Sequence, residues 1–443
     1  MINRLLSPVR VDIVLNHDCN HKCLHCYNPW RKMEISKREF QKDIFNKIDI
    51  IVKELKKANV WSAILTGGEP LLHPDILFYT IEKFNDLGIS MSLNSNLTLI
   101  TDDIAKALVE KYDWSNIILT SLPSINKECC DEITQIKGSY ERILKGIEIC
   151  KRNGIRVGIN TVITKKNIDD LNEYIDFIKI HNIDYVSIST VIPPSYDSLN
   201  PNYYLNNQDI INIADKLLEI KDKCKIEIGS VTPLPLCILK DANRYLPVLD
   251  TTCMAGISKC TIEVESGKVF ACAHEEESYG NIYRDGLEKC WEKMERWANE
   301  NNIYKECSRC KWLYLCGGEC RMQRNGTRRK PDYDLDRNAD IKFEFDDKML
   351  SIPFPNENDK LKIYPNLKIR KEKFGALVRA NFIETNISYS LLKFCEILQQ
   401  KDYFTITDLK NLIENYDDIK PIIMTLLQRG IILNEGNDIN GVY

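Results

Sequence analysis

Three cysteines stand close together near the start of the chain, as Cys19-x3-Cys23-x2-Cys26. Three thiolates on one loop suit an iron–sulfur cluster, and they leave one iron of a four-iron cluster open to a further ligand. The same spacing also accommodates a zinc ion that borrows His21 or His25. Further on, Thr66-Gly67-Gly68-Glu69-Pro70 combines two glycines, which let backbone approach a ligand closely, with a carboxylate that can meet an amine. That segment alone is equally compatible with a simple turn.

The chain has 17 cysteines in 443 residues, an odd number, so full internal pairing is impossible. Residues 1–11 carry no apolar stretch of a signal peptide. Disulfides are therefore a poor explanation, and metal binding is the better one. Cys253, Cys260, Cys272, Cys290, Cys307, Cys310, Cys316 and Cys320 form a second group. Its last run, Cys307-x2-Cys310-x5-Cys316-x3-Cys320, taken alone also fits a zinc ribbon. Cys129, Cys130, Cys150, Cys224, Cys237 and Cys395 are scattered and read as small buried hydrophobes, as does Cys290 on its helical pattern.

The elements that must position these residues are legible up to about residue 225. Strands are expected at 11–15, 63–65, 89–93, 116–119, 157–163 and 185–191. Helices are expected at 40–57, 76–87, 104–111, 140–153 and 171–180. This alternation implies parallel strands joined by crossover helices, an α/β fold. About six such units fit, fewer than a full eight-stranded barrel needs. Ligands of such folds sit at the carboxyl ends of the strands, where both N-terminal motifs fall. Residues 193–208 read as a loop, 226–340 as a cysteine-rich region that needs metal for stability, and 331–360 as a linker. From 361 the pattern changes to a hairpin across Phe374-Gly375, three helices at 389–400, 406–415 and 418–429, and a strand at 431–433, the order of a winged helix.

Whole-chain charge is nearly balanced, with 60 Lys and Arg against 64 Asp and Glu. That gives no general footprint for nucleic acid or an anionic membrane. No run of about 18 apolar residues exists, so no membrane-spanning helix is expected. With 44% hydrophobic and 28% charged residues, the chain has the composition of a globular protein with a sizeable core.

Together the CxxxCxxC triad, the GGEP motif and the surrounding α/β pattern resemble the radical S-adenosylmethionine (radical SAM) enzymes. The resemblance implies a partial (β/α)6 TIM-like barrel over residues 9–225. It implies that Cys19, Cys23 and Cys26 hold a [4Fe–4S] cluster. S-adenosylmethionine would bind the open iron and yield a 5′-deoxyadenosyl radical after one-electron cleavage. Gly67, Gly68 and Glu69 match the segment that meets the methionine amine. His25 matches a usually aromatic position, and Tyr27 one whose backbone often meets adenine. Leu93-Asn94-Ser95-Asn96-Leu97 resembles the family's TNG strand end, with Leu97 where glycine is usual. Ser121 and Asn160 match positions near the ribose, although Pro123 stands where the family has an acidic residue.

The second cysteine group resembles the SPASM extension of this family, over residues 226–345, which carries two auxiliary [4Fe–4S] clusters. By that resemblance Cys253, Cys260, Cys272 and Cys320 ligate the first and Cys307, Cys310 and Cys316 the second. The family's further cysteine, roughly twenty residues on, is missing. Asp332, Asp334, Asp336 and Asp340 occupy that region, so the fourth ligand is unidentified. Residues 361–443 resemble the PqqD-like peptide-recognition domain, a winged helix that binds a leader peptide by strand addition. The predicted last helix carries only Lys420 and Arg429 as cations, which speaks against DNA.

The implied function is oxidative modification of a ribosomally made precursor peptide, by thioether or carbon–carbon linkage, in a cytoplasmic, oxygen-sensitive enzyme. A low-potential donor such as flavodoxin or ferredoxin would supply electrons. Maturation of a sulfatase or of a redox cofactor remains open, as does a non-catalytic iron–sulfur or zinc regulator with a DNA-binding winged helix. No residue stands out as the acid or base.

Overall fold

The computed structural model describes residues 4–27, 43–112, 114, 116–192, 203–230, 232–248, 253–298, 304, 306–323, 335–336, 338–342, 354–380, 383–412 and 416–434. It divides into two compact units, residues 1–343 and 344–443.

The first unit is built on one nine-stranded sheet. Its strands are β1 (Arg10–Val14), β2 (Ser62–Thr66), β3 (Ser90–Ser95), β4 (Ile118–Ser121), β5 (Val157–Ile163), β6 (Tyr185–Thr190), β7 (Glu227–Ser230), β8 (Lys259–Glu263) and β9 (Val269–Phe270). The spatial order is β7-β6-β5-β4-β3-β2-β1-β8-β9. Each pair is parallel except β8 with β9. Among the described residues the end strands β7 and β9 do not pair, so the sheet is open.

Parallel strands need covering helices, and the sequence supplies amphipathic ones. The helix Ile44–Lys57 buries Ile44, Ile48, Ile51 and Leu55, a single stripe at helical spacing. The helix Pro74–Asp86 does the same with Ile76, Leu77, Ile81 and Phe84. These pack on a core that includes Val11, Ile13, Leu65, Leu93 and Ile159. The helix Asn207–Cys224 opens with a capping box, in which the Asn206 side chain accepts from the Asp209 N–H and Asp209 reaches back to the Asn206 N–H.

The six strands expected within residues 9–225 are present as β1 to β6, and β7 and β8 continue the parallel ladder beyond them. Three boundaries need correction. β7 is short and only half buried, and β8 lies inside the cysteine-rich stretch, so neither shows the apolar alternation that marks a strand. The boundary expected after residue 225 therefore does not interrupt the sheet. The loop expected at 193–208 ends early, since the helix Asn207–Cys224 begins within it; residues 193–202 lie outside the described ones. The linker expected at 331–360 is partly folded into the first unit. Lys342 exchanges backbone hydrogen bonds with Lys240 and Ala242, and Ala339 and Ile341 are buried.

The second unit has its own core, formed by Leu361, Val378, Leu398, Phe404, Leu426 and Ile432 among others. β11 (Lys368–Glu372), β12 (Gly375–Ala380) and β13 (Ile383–Ile387) form an antiparallel sheet with β12 in the middle. β10 (Leu361–Ile363) pairs with β14 (Ile432–Asn434), which closes the unit end to end. The expected hairpin and the helices Tyr389–Gln399, Ile406–Leu412 and Tyr416–Gln428 are present. β10 and β13 were not anticipated; β13 reads Ile-Glu-Thr-Asn-Ile and is mostly half exposed.

One close approach inside the first unit fixes the segment after β3. A Cβ placed on Gly146, in the helix Ser139–Arg152, would lie 2.3 Å from the Leu97 carbonyl oxygen. Gly146→Ala should therefore destabilise the chain by roughly 1–3 kcal/mol, the usual cost of overpacking. A thermal melt of the purified variant reads this; an unchanged midpoint would count against the contact.

Candidate active site and the cysteine groups

The loop after β1 carries Cys19, Cys23 and Cys26 and is held from three sides. Its start is continuous with the sheet: Leu15 N–H donates to the Thr66 carbonyl and Val264 N–H to the Val14 carbonyl. Its middle is pinned to the end of the helix Lys127–Thr134, where Lys22 N–H donates to Thr134 O and Leu24 N–H to Ile133 O. Its third support is the GGEP segment. Gly68 N–H donates to Asn16 O at 2.9 Å and Glu69 N–H to Asp18 O at 2.7 Å.

This backbone contact explains both glycines. A Cβ on Gly67 would lie 2.7 Å from Asn16 O, and one on Gly68 only 2.1 Å from Asp18 O. No side chain fits there without displacing the cysteine loop.

Glu69 sits at the centre of the arrangement and is 1% exposed. Its Oε1 accepts from Leu71 N–H at 2.9 Å and from the Ser95 hydroxyl at 2.7 Å. Its Oε2 accepts from Asn96 N–H at 2.7 Å. Burial pushes the carboxyl pKa up, and these donors pull it part of the way back. The carboxylate expected to meet an amine is thus engaged by the chain, where it ties the GGEP segment to the end of β3.

Asn96 extends that tie. Its side-chain amide donates to Asn20 Oδ1 at 2.8 Å and also to the Cys19 sulfur. Its Oδ1 accepts from Thr98 N–H at 3.0 Å. The next residue, Leu97, has φ +56° and is fully buried. The glycine usual at that position would take this left-handed conformation without strain.

Ser121 ends β4 exposed at the carboxyl edge, directly opposite Asn160 in the β4–β5 register. Asn160 Oδ1 accepts from the Ser189 hydroxyl at 3.2 Å. Ser121 thus lies at the carboxyl edge and Asn160 midway along β5, whereas Ser95 is buried at 4% and turned to Glu69.

The buried thiol of Cys19 is pushed up to about 12 by desolvation, with His21 N–H donating to its sulfur at 3.4 Å. Metal binding would displace the proton that burial favours. Three sulfurs on one loop, an N–H on one of them and glycines that admit a close neighbour fit a cluster with one open iron. His21 is buried, its pKa is lowered to about 4 by desolvation, and the charges acting on it are those of Arg142 and Asp131. Among the described residues no three His, Cys, Asp or Glu side chains are placed to hold a single metal ion.

The second cysteine group meets the first across β1 and β8. The Tyr27 ring, next to Cys26, lies 4.2 Å from the His274 ring. His274 Nδ1 is 3.7 Å from the Cys272 sulfur. Cys253, Cys272 and Cys320 come together: the Cys320 thiol is raised by burial and then by the charges of Cys253 and Cys272. Lys259 Nζ is 3.4 Å from Asp12 Oδ2 and feels Cys272 and Cys253.

Cys260, assigned to the same set by resemblance, is not brought to it. It alternates with Lys259 along β8, so the two point to opposite faces of the sheet. It is fully buried in the core, with Asp12, Cys290, Lys259 and Arg4 as its charged neighbours. Cys307, Cys310 and Cys316 line one cavity. No local pattern marks the Asn20–Asn96 bond or the anchoring by residues 133–134, because such pairings join segments far apart in the chain.

Two expectations follow. Gly68→Ala should displace the loop and remove the radical-site cluster, about four irons per chain; full iron content in the reconstituted variant would refute the close approach. Cys272→Ala should lower iron content, whereas Cys260→Ala should cost thermal stability and leave iron unchanged, read by metal analysis beside a melt.

Comparisons agree with this geometry. Residues 13–178 match the Radical SAM superfamily profile. The AdoMet-dependent heme synthase of Methanosarcina barkeri is 23% identical over 345 residues, 73% of this chain and 94% of that protein. The radical SAM cyclopropyl synthase TigE of Paramaledivibacter caminithermalis is 26% identical over 345 residues, 72% of this chain and 70% of that protein. The crystal structure of Streptococcus suis SuiB bound to precursor peptide SuiA superposes with a TM-score of 0.58 at 18% identity, covering 76% of this chain and 77% of that one. That likeness shows a shared fold. The matched profile lies over the cysteine triad, the GGEP segment and strands β2 to β5, so residues 13–178 form a Radical SAM domain.

Proposed function

We propose that the chain modifies a ribosomally made precursor peptide by radical chemistry. The observation that carries this reading is the sheet of the second unit. β12 is paired on both sides, whereas β13 (Ile383–Ile387) pairs with β12 on one side and with no other strand among the described residues. An unpaired edge offers a row of N–H and C=O groups, which an extended peptide can satisfy by adding a strand. SuiB, whose fold the chain shares, is known in complex with its precursor peptide, and TigE is named as a cyclopropyl synthase.

In this reading Cys19, Cys23 and Cys26 hold the radical-site cluster, and Ser121, at the carboxyl edge, and Asn160 face S-adenosylmethionine. When bound, cluster and S-adenosylmethionine supply a 5′-deoxyadenosyl radical that removes a substrate hydrogen. Glu69, Ser95 and Asn96 keep the cysteine loop and the GGEP backbone in fixed relation. Cysteines of the second group would hold auxiliary clusters, which would supply an acceptor for the electron left when hydrogen removal ends in a new bond. A thioether or carbon–carbon link is the product class that needs such an acceptor.

A second reading is modification of a porphyrin, favoured by the heme synthase, 94% of which is covered by the match. Co-expression of the full chain with a candidate precursor peptide separates the two. The expected result is a mass loss of about two hydrogens per new link in the peptide, by the balance of an oxidative cross-link. Truncation after residue 342, which leaves the first unit's core intact, should abolish that change. An unmodified peptide with the full chain, or full modification by the truncated one, would sink the proposal.

A further inference from the structure

The resemblance leaves the second auxiliary site with three cysteines and no fourth. In the fold, Cys307, Cys310 and Cys316 line a cavity of about 370 Å³, counting the part open to solvent, and Cys237 lines the same cavity. Cys237 lies upstream of the whole second group, in the short helix Leu236–Leu239, and nothing in its spacing connects it with them. The helix is joined to the cysteines by its backbone. Leu236 N–H and Gly318 N–H both donate to the Cys316 sulfur. Asp336 N–H donates to the Cys237 sulfur. Amide donors on sulfur are how proteins favour thiolate and tune the potential of an iron–sulfur cluster.

We propose that Cys237 is the fourth ligand of a [4Fe–4S] cluster held by Cys307, Cys310 and Cys316, an inference that rests on the auxiliary-cluster reading above. The competing ligands are carboxylates, which are harder donors, or lie elsewhere; Glu306 and Glu319 line the cavity as well. Asp336 also lines the cavity, but its Oδ1 accepts from Asn338 N–H at 2.9 Å. Asp340 does not line it, and Asp332 and Asp334 lie outside the described residues. Cys395, the next cysteine downstream, is 1% exposed in the core of the second unit. Thiolate is also the softer donor and the usual one for such clusters.

The test uses the full chain with Cys19, Cys23 and Cys26 changed to Ala, so that only auxiliary clusters remain. After anaerobic reconstitution with iron and sulfide, this background should hold about eight irons, two clusters of four. Adding Cys237→Ala should lower iron and sulfide by about four each, or leave a three-iron cluster visible by electron paramagnetic resonance. Cys237→Ser keeps the volume and should retain iron with a shifted resonance and reduction potential, which separates ligand loss from misfolding. Unchanged iron and resonance in both Cys237 variants would overturn the proposal while leaving the auxiliary clusters standing. Loss of iron in Asp336→Ala but not in Cys237→Ala would overturn it likewise. A background chain that binds no iron, or only zinc, would remove both this proposal and the reading beneath it.

Discussion

The buried carboxylate of Glu69 is the point on which the N-terminal site depends. It accepts three hydrogen bonds, from Leu71, Ser95 and Asn96, while its own N–H reaches Asp18 beside Cys19. A carboxylate with so little water must be satisfied by the chain, and its geometry then dictates the distance between β2, β3 and the cysteine loop. Gly67 and Gly68 are the steric counterpart, since they allow the backbones to approach at a spacing no Cβ permits. The order of the cysteine loop thus comes from polar and backbone constraints rather than from apolar packing.

The open sheet carries that order across to the second cysteine group. β1 has β2 on one side and β8 on the other, so the loop after β1 and the segment after β8 leave the sheet side by side. Tyr27 against His274, and His274 against Cys272, form the resulting bridge. The cysteine-rich stretch and the parallel strands belong to the same compact unit, residues 1–343.

Most of the grouped thiols share one physical condition. Burial raises Cys19, Cys272 and Cys307 to about 12, so each favours its proton until a metal offsets the desolvation. Metal loading is therefore coupled to proton release and to the stability of the loops that carry the sulfurs. Cys130, Cys150 and Cys395 are raised in the same way, yet they sit in apolar cores, where a neutral thiol packs as a small hydrophobe. A raised thiol pKa alone does not separate ligand from core; the neighbouring sulfurs do.

The sequence by itself determined the local features: the cysteine triad, the GGEP turn, most strand–helix alternation and the hairpin and helices of the second unit. Each is written in a short window, as spacing or as the periodicity of apolar residues. Tertiary structure alone decided which residues meet. Lys259 and not Cys260 faces Cys253 and Cys272 because strand alternation sends neighbours to opposite faces of β8. Glu69 binds Ser95 and Asn96 because parallel pairing sets β2 beside β3. Cys237 reaches Cys316 because a short helix upstream folds back over a later loop. Such pairings depend on how distant segments cross in space, and the chain does not spell that out locally.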